Sequence, residues 1–226
     1  MPPHNSEHAH SEDKRRKILR AAVRVFASKG YEATRVADIA REANVAYGLV
    51  YHYFDSKEDV LNSIFQEHLG LVHRVIETID REKGSAREKL EAVVAFMIDG
   101  CQVTPDVVRV LLLELRRSAM LLAAPRAEAV EGLFQRIEAL IRRHQKDGSL
   151  RPGIDPRMAS YVFVGALETL LSGFALGTLP LTEQAVEQAK AAVVEIAWKG
   201  LGADQTSRKA ETLTVETSSA QATRGR

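Results

Sequence analysis

The chain has 226 residues, a formal net charge of +1 and a hydrophobic share of 45%, with 27% of its residues charged. That length suits one large domain or a small one joined to a medium one, and the balance of apolar and charged residues excludes a chain that is disordered or fibrous throughout. Near-neutrality excludes a protein that holds nucleic acid by bulk charge alone, and the single Cys101 excludes a disulfide framework and suits a reducing, cytoplasmic setting.

The chain opens with a polar stretch, His4, His8 and His10 followed by Lys14, Arg15, Arg16 and Lys17, which lacks the apolar run of a signal peptide. Residues 1–12 are expected to form a disordered tail. From roughly 13 to 29, Ile18, Ala22, Val25 and Phe26 recur at helical spacing with Arg15, Arg16, Arg20 and Arg24 on the wetter sides, which predicts an amphipathic helix stopped at Gly30. A short helix over roughly 35–43 carries Val36, Ile39, Ala40 and Ala43 on one face. Asn44 then stands where a tight turn must reverse the chain, and its short polar side chain tolerates the left-handed backbone such a turn needs. In the short helix that begins at Ala46, the spacing turns Val45, Val50, Tyr53 and Phe54 inward and leaves Ala46, Tyr47, Gly48 and Tyr51 facing out. That outer face is free to enter a groove.

Longer helices follow over roughly 56–80, 85–102, 105–122, 126–146, 156–177 and 182–200. Their starts are marked by Ser56 with Asp59, Ser85 with Glu88, Thr104 before Pro105, Asp155 before Pro156, and Thr182 before Glu183, and further stops fall at Gly148 and Gly202. The result is an all-α chain of about nine helices, with a three-helix unit over 13–55 and a larger helical domain over 56–202. Residues 203–226 carry Ser, Thr, Ala and charge with almost no large apolar side chain, so they are expected to be a disordered tail. The apolar stretch from Met158 to Leu179 nearly reaches bilayer length, yet Glu168 at its middle and the small Gly165, Ala166, Ser172 and Gly173 assign it to a buried or intersubunit helix, and no membrane is expected.

Residues 14 to about 65 resemble the DNA-binding region of the TetR family. The likeness is carried by Ile18 to Ala22, Phe26, Lys29-Gly30-Tyr31, Thr34, Val36, Asp38-Ile39-Ala40, Ala43, Val45, Gly48, Val50-Tyr51-His52-Tyr53-Phe54, Ser56-Lys57-Glu58 and Leu61. The resemblance implies a homodimer whose helix-turn-helix units read a palindromic operator in double-stranded DNA, joined to a variable helical domain that holds an effector. Carried over by position, Ala46, Tyr47 and Gly48 open the recognition helix at the base edges, with Tyr47 able to touch a thymine methyl and to donate or accept a hydrogen bond. Thr34, Arg35, Tyr51, His52 and Lys57 are then expected on phosphates, which fix register. Three positions depart from the family habit. Arg35 stands where a capping Ser or Thr is common, so that Thr34 or Asp38 must help that terminus; Ala46 removes the usual cap of the recognition helix; Leu49 removes a phosphate-bonding hydroxyl.

A sensor needs an apolar cavity with a few orienting polar groups. Phe65, Phe96, Met97, Cys101 and Tyr161 are candidate wall residues, and Glu114, Arg117 and Glu168 are the charged groups within apolar helices that must be paired or used. An apolar wall with nearby arginines suits an acyl chain with an anionic head, and residues 48 to 65 are similar to fatty-acid-responsive members of the family; the expected effector is small and hydrophobic, a fatty acyl-CoA being one form. Val162, Ala166, Leu170 and Phe174, with Val186, Ala189, Val193 and Ile196, offer more apolar surface than a terminal hairpin buries alone and predict a four-helix dimer interface. The alternatives are a helical protein-binding adaptor and a small all-helical enzyme. Against an enzyme, no Gly-x-Ser-x-Gly elbow, phosphate loop, Cys-x-x-Cys or His-Glu-x-x-His occurs, and no metal or cofactor is called for.

Overall fold

The computed structural model describes residues 4–117 and 124–202, and among these the chain forms nine α-helices. A small N-terminal unit is built from α1 (His4–Lys29), α2 (Val36–Glu42) and α3 (Tyr47–Tyr53). Out of it runs α4 (Lys57–Arg81), followed by α5 (Ala86–Val103), α6 (Pro105–Arg117), α7 (Ala124–Lys146), α8 (Pro156–Ala175) and α9 (Glu183–Leu201).

Most boundaries follow from the capping chemistry. The Ser56 hydroxyl accepts from the Asp59 amide at 3.0 Å, Ser85 and Glu88 bond each other's backbone reciprocally, and Asp155 accepts from the Met158 amide at 2.9 Å just ahead of Pro156. Thr104 serves two helices: its hydroxyl donates back to the Gly100 carbonyl at 3.1 Å and closes α5, while its carbonyl accepts from the Val108 amide at 3.2 Å and opens α6 ahead of Pro105, where the start was expected. Gly30 and Gly148 adopt the left-handed backbone that helix ends favour, at φ 78° and 76°. Gly202 does not; it is extended at φ −61°, and it must be glycine because a Cβ there would lie 2.7 Å from the Trp198 carbonyl oxygen.

The expected tail over 1–12 is instead helical from His4 onward. Those residues carry no apolar periodicity to announce a helix, but lengthening an existing helix needs no new nucleus. Among the described side chains, Arg16 pairs with Glu12, and the Ser11 and Tyr53 hydroxyls lie 3.2 Å apart. The tail expected over 203–226 and the end of the helix expected over 105–122 lie outside the described residues.

Two apolar cores result. The first joins Ile18, Phe26, Ile39, Val50 and Phe54 to Leu61, Ile64 and Phe65 from α4 and to Val110 from α6. The second joins Ile76 from α4 to Leu90, Ile98, Ile137, Leu140, Phe163, Leu167 and Val193. The division expected before residue 56 thus falls within α4, whose first half belongs to the N-terminal unit. Each fully buried Ile or Phe contributes roughly 1.5–3 kcal/mol, so α4 is anchored strongly at both ends. By length and composition α8 could cross a bilayer, but its Ala159, Phe163, Val164, Leu167, Leu171 and Phe174 lie in the second core.

Candidate nucleic-acid interface and ligand cavity

The turn between α2 and α3 forms as the sequence predicts. Asn44 takes φ 49°, the single left-handed non-glycine residue among those described, and the Val45 amide reaches back to the Ala40 carbonyl at 3.0 Å. Val50 and Phe54 are buried and Val45 and Tyr53 half-buried, while Ala46, Tyr47, Gly48, Tyr51 and His52 are exposed. Tyr47 is 53% exposed, its ring meeting that of Tyr51 edge-on at 5.2 Å and its hydroxyl donating to the Tyr51 hydroxyl at 3.2 Å. Ala46 caps α3 without a side-chain bond, leaving the first amides of the helix clear.

At the start of α2, Asp38 does the capping that Arg35 cannot. Its carboxylate accepts from the Arg35 amide at 3.0 Å and also from Lys29 and Arg41. The Lys29 ammonium, then the Arg35 amide, hold the Asp38 carboxyl at about 2, well below its ordinary range. Arg35 itself is exposed and has no ion pair among the described residues.

Two expected phosphate contacts are turned inward. The Thr34 hydroxyl, buried, donates to the Gly30 carbonyl at 2.7 Å. The Lys57 ammonium donates to the carbonyls of Tyr31, Glu32 and Thr34 at 2.8, 3.2 and 2.9 Å, over the Tyr31 ring. Both side chains therefore shape the loop that places α2, the Lys57 ammonium drawing three of its carbonyls to one point.

A cavity of about 400 Å³ lies between α4, α5, α6, α7 and α8. Its wall is almost wholly apolar: Leu69 and Val72 from α4, Phe96 and Met97 from α5, Val108 and Leu112 from α6, Leu133 and Phe134 from α7, Val164 and Leu171 from α8. His68, Asp99, Thr104 and Glu168 supply the polar edges, and the exposed Leu71 and Val103 mark where it opens.

Two family models match adjoining stretches of the chain, from residue 18 to residue 187. The bacterial regulatory protein model of the tetR family matches residues 18–64, and the model of the C-terminal region of YsiA-like proteins matches 65–187. The chain belongs to the TetR family. TetR-family proteins are DNA-binding transcription regulators, and the chain is one of them. The fatty acid metabolism regulator protein of Bacillus subtilis is 34% identical over 152 residues, covering 67% of this chain and 78% of that one. Among solved structures, the transcriptional regulator FadR from Bacillus subtilis in complex with stearoyl-CoA superposes with a TM-score of 0.73 at 29% identity, over 80% of this chain and 96% of that one. The fatty acid degradation regulator FadR from Bacillus halodurans gives 0.73 at 28% identity, over 80% and 94%.

Within this TetR-family frame the expected ligand residues divide. Phe96, Met97 and Glu168 line the cavity. Phe65 does not, lying wholly inside the first core; Cys101 lies inside the second, where burial pushes its thiol up to about 11. Glu114 is buried off the cavity wall, Tyr161 stacks on Phe134 with centroids 4.2 Å apart and faces outward, and the Arg117 side chain is outside the described residues. Helical spacing shows that a face is apolar but not which of two neighbouring spaces it meets. The end of α5 and the first turns of α6 were missed: Val103, Thr104, Val107, Val108 and Leu111 all reach the cavity. A signal was present, since the run after Pro105 is apolar on more faces than one core contact requires.

The expected pairing face is smaller than the sequence implied. Phe174, Val186, Ala189 and Val193 are buried in the chain's own second core, and Leu170 is partly buried against it. Val162 and Ile196 stay 75% and 74% exposed, with Ala166 exposed beside them. The error arose because α5 packs along α9 and covers the stripe that a lone hairpin would have left open.

Proposed function

We propose that the chain is a homodimeric repressor that grips a palindromic operator through the outer face of α3 and releases it when a long-chain fatty acyl-CoA fills the cavity. The observation that carries this reading is that the cavity wall includes the second half of α4, whose first half is packed into the DNA-binding unit. A ligand that pushes on Leu69 or Val72 pushes on the same rigid rod that seats the recognition helix. An apolar cavity with polar groups at its edge suits an acyl chain whose head stays near solvent, and the FadR structure in complex with stearoyl-CoA supports that choice.

Arg35, Ala46, Tyr47, Gly48, Tyr51 and His52 form the DNA face, with Thr34 and Lys57 setting the loop behind it. Two copies pair through the exposed Val162, Ala166 and Ile196, so that the recognition helices meet successive major grooves ~34 Å apart. The protein acts by binding and release, not by catalysis, in the cytoplasm where its DNA is. To test this, a duplex selected from a random pool by the purified protein is titrated with stearoyl-CoA. Expected are loss of the complex on adding stearoyl-CoA and loss of that response when Val108→Trp fills the cavity. Unchanged DNA binding at saturating stearoyl-CoA rejects the effector assignment, and failure to select any duplex rejects the regulatory reading.

A further inference from the structure

Arg126 is the first residue of α7 whose side chain is described, and it is only 4% exposed. One to two turns further on, Val130, Leu133 and Phe134 form a wall of the cavity. The guanidinium points the other way, into the N-terminal unit. It pairs with one carboxylate oxygen of Glu58 in the first turn of α4 and stands 5.7 Å from the centre of the Phe65 ring. The other Glu58 oxygen accepts the Tyr31 hydroxyl at 2.6 Å, and burial with this bond holds the Tyr31 phenol well above its usual range. Tyr31 opens the loop whose carbonyls Lys57 gathers, and that loop ends at Arg35, the cap of α2. A continuous line of bonded groups thus runs from the cavity wall to the helix on which α3 rests.

Helix packing does not require this arrangement. Burying a guanidinium costs several kcal/mol unless it is paired, and an apolar side chain of similar size commonly serves stability as well. The Arg126 Nε has no hydrogen-bond partner among the described residues, so the buried charge is not even fully satisfied. What the ion pair adds over an apolar contact is a fixed direction and position between α7 and the start of α4.

We propose that Arg126 is a positioning residue that transmits cavity occupancy to the DNA unit: a ligand that displaces α7 moves Glu58, and with it Tyr31 and α2. The proposal rests on the acyl-CoA-responsive reading above. It is tested with Arg126→Met, Arg126→Lys and Tyr31→Phe by three measurements on the full chain: affinity for the selected duplex with and without stearoyl-CoA, affinity for stearoyl-CoA, and amide hydrogen exchange without ligand. Expected for Arg126→Met is stearoyl-CoA affinity within about twofold of the parent, while the ratio of duplex Kd with and without ligand falls from ~5–150 toward 1. Amides of residues 31–38 should exchange about fivefold faster or more, and Arg126→Lys should restore part of both effects.

A merely structural residue would lower Tm without moving that ratio. Full retention of the ratio together with unchanged protection of 31–38 in Arg126→Met overturns the proposal. If Arg126→Met does not fold, Tyr31→Phe, which deletes one hydroxyl, carries the same comparison. If stearoyl-CoA fails to release the parent, the functional reading falls, and the exchange measurement alone decides whether Arg126 links cavity wall and DNA unit.

Discussion

Tyr47→Ala separates the fold from its use. The side chain is 53% exposed, its ring contact is with Tyr51 and its hydroxyl bonds only that residue's hydroxyl among described groups. An exposed aromatic pair is worth ~0.5–1.5 kcal/mol, so Tm should drop by less than ~6 °C for a chain of this size. A side chain that reads a base edge contributes ~1–3 kcal/mol. Two copies on a palindrome then lose ~2–6 kcal/mol, about 30-fold to about 10⁴-fold in Kd. Fluorescence anisotropy on the selected duplex and on a scrambled one, at fixed salt, measures both numbers. The selected duplex should lose most of its advantage, with affinity for the scrambled duplex nearly unchanged. Tyr47→Phe adds a refinement: retained preference assigns the reading to the ring, lost preference to the hydroxyl. If Tyr47→Ala bound both duplexes as the parent does, the outer face of α3 would not be the DNA face.

Lys57→Ala removes an ammonium from three carbonyls, at a cost of ~1.5–3 kcal/mol for bonds to a charged group; urea unfolding should show that loss, and affinity should fall by one factor for every duplex, whereas a changed preference between duplexes would show that Lys57 reads sequence. Asp38 is held at about 2 by Lys29 and the Arg35 amide, below its ordinary 3.8. A carboxyl with a depressed pKa adds stability that is complete above the ordinary value and fades as pH falls toward the lower one. The parent should therefore exceed Asp38→Asn in urea midpoint at neutral pH and lose that margin between pH 3.8 and about 2, and an equal margin at both ends would refute the assignment. Val162→Glu with Ile196→Glu places charge on the exposed α8–α9 face; sedimentation should show monomers with helical content intact and weak duplex binding, and an undisturbed dimer would move the interface elsewhere.

Local chemistry was legible in the sequence. Ser56, Ser85, Asp155 and Thr182 each bond a backbone amide within their own helix start, and Asn44 sets its own φ, so neighbours in the chain suffice to decide them. The outward set Ala46, Tyr47, Gly48 and Tyr51 was equally readable, because one short helix against one core has a single buried side. Contacts across the fold decided the rest. Lys57 looked like a surface cation until the loop from Tyr31 to Thr34 came within reach, and Val186 and Val193 looked like a partner's contact until α5 covered them.

The residues by themselves thus determined the helices, most of their ends, the family and the side of α3 that stays in solvent, since each depends on side chains within a turn or two of one another. Which apolar stripe lines the cavity, which joins a core, and how Arg126 reaches Glu58 across 68 positions were settled by tertiary packing alone. The reason is geometric: a helical stripe states that a face must leave water, and only the helix laid against it states whether that face meets a neighbour or a void.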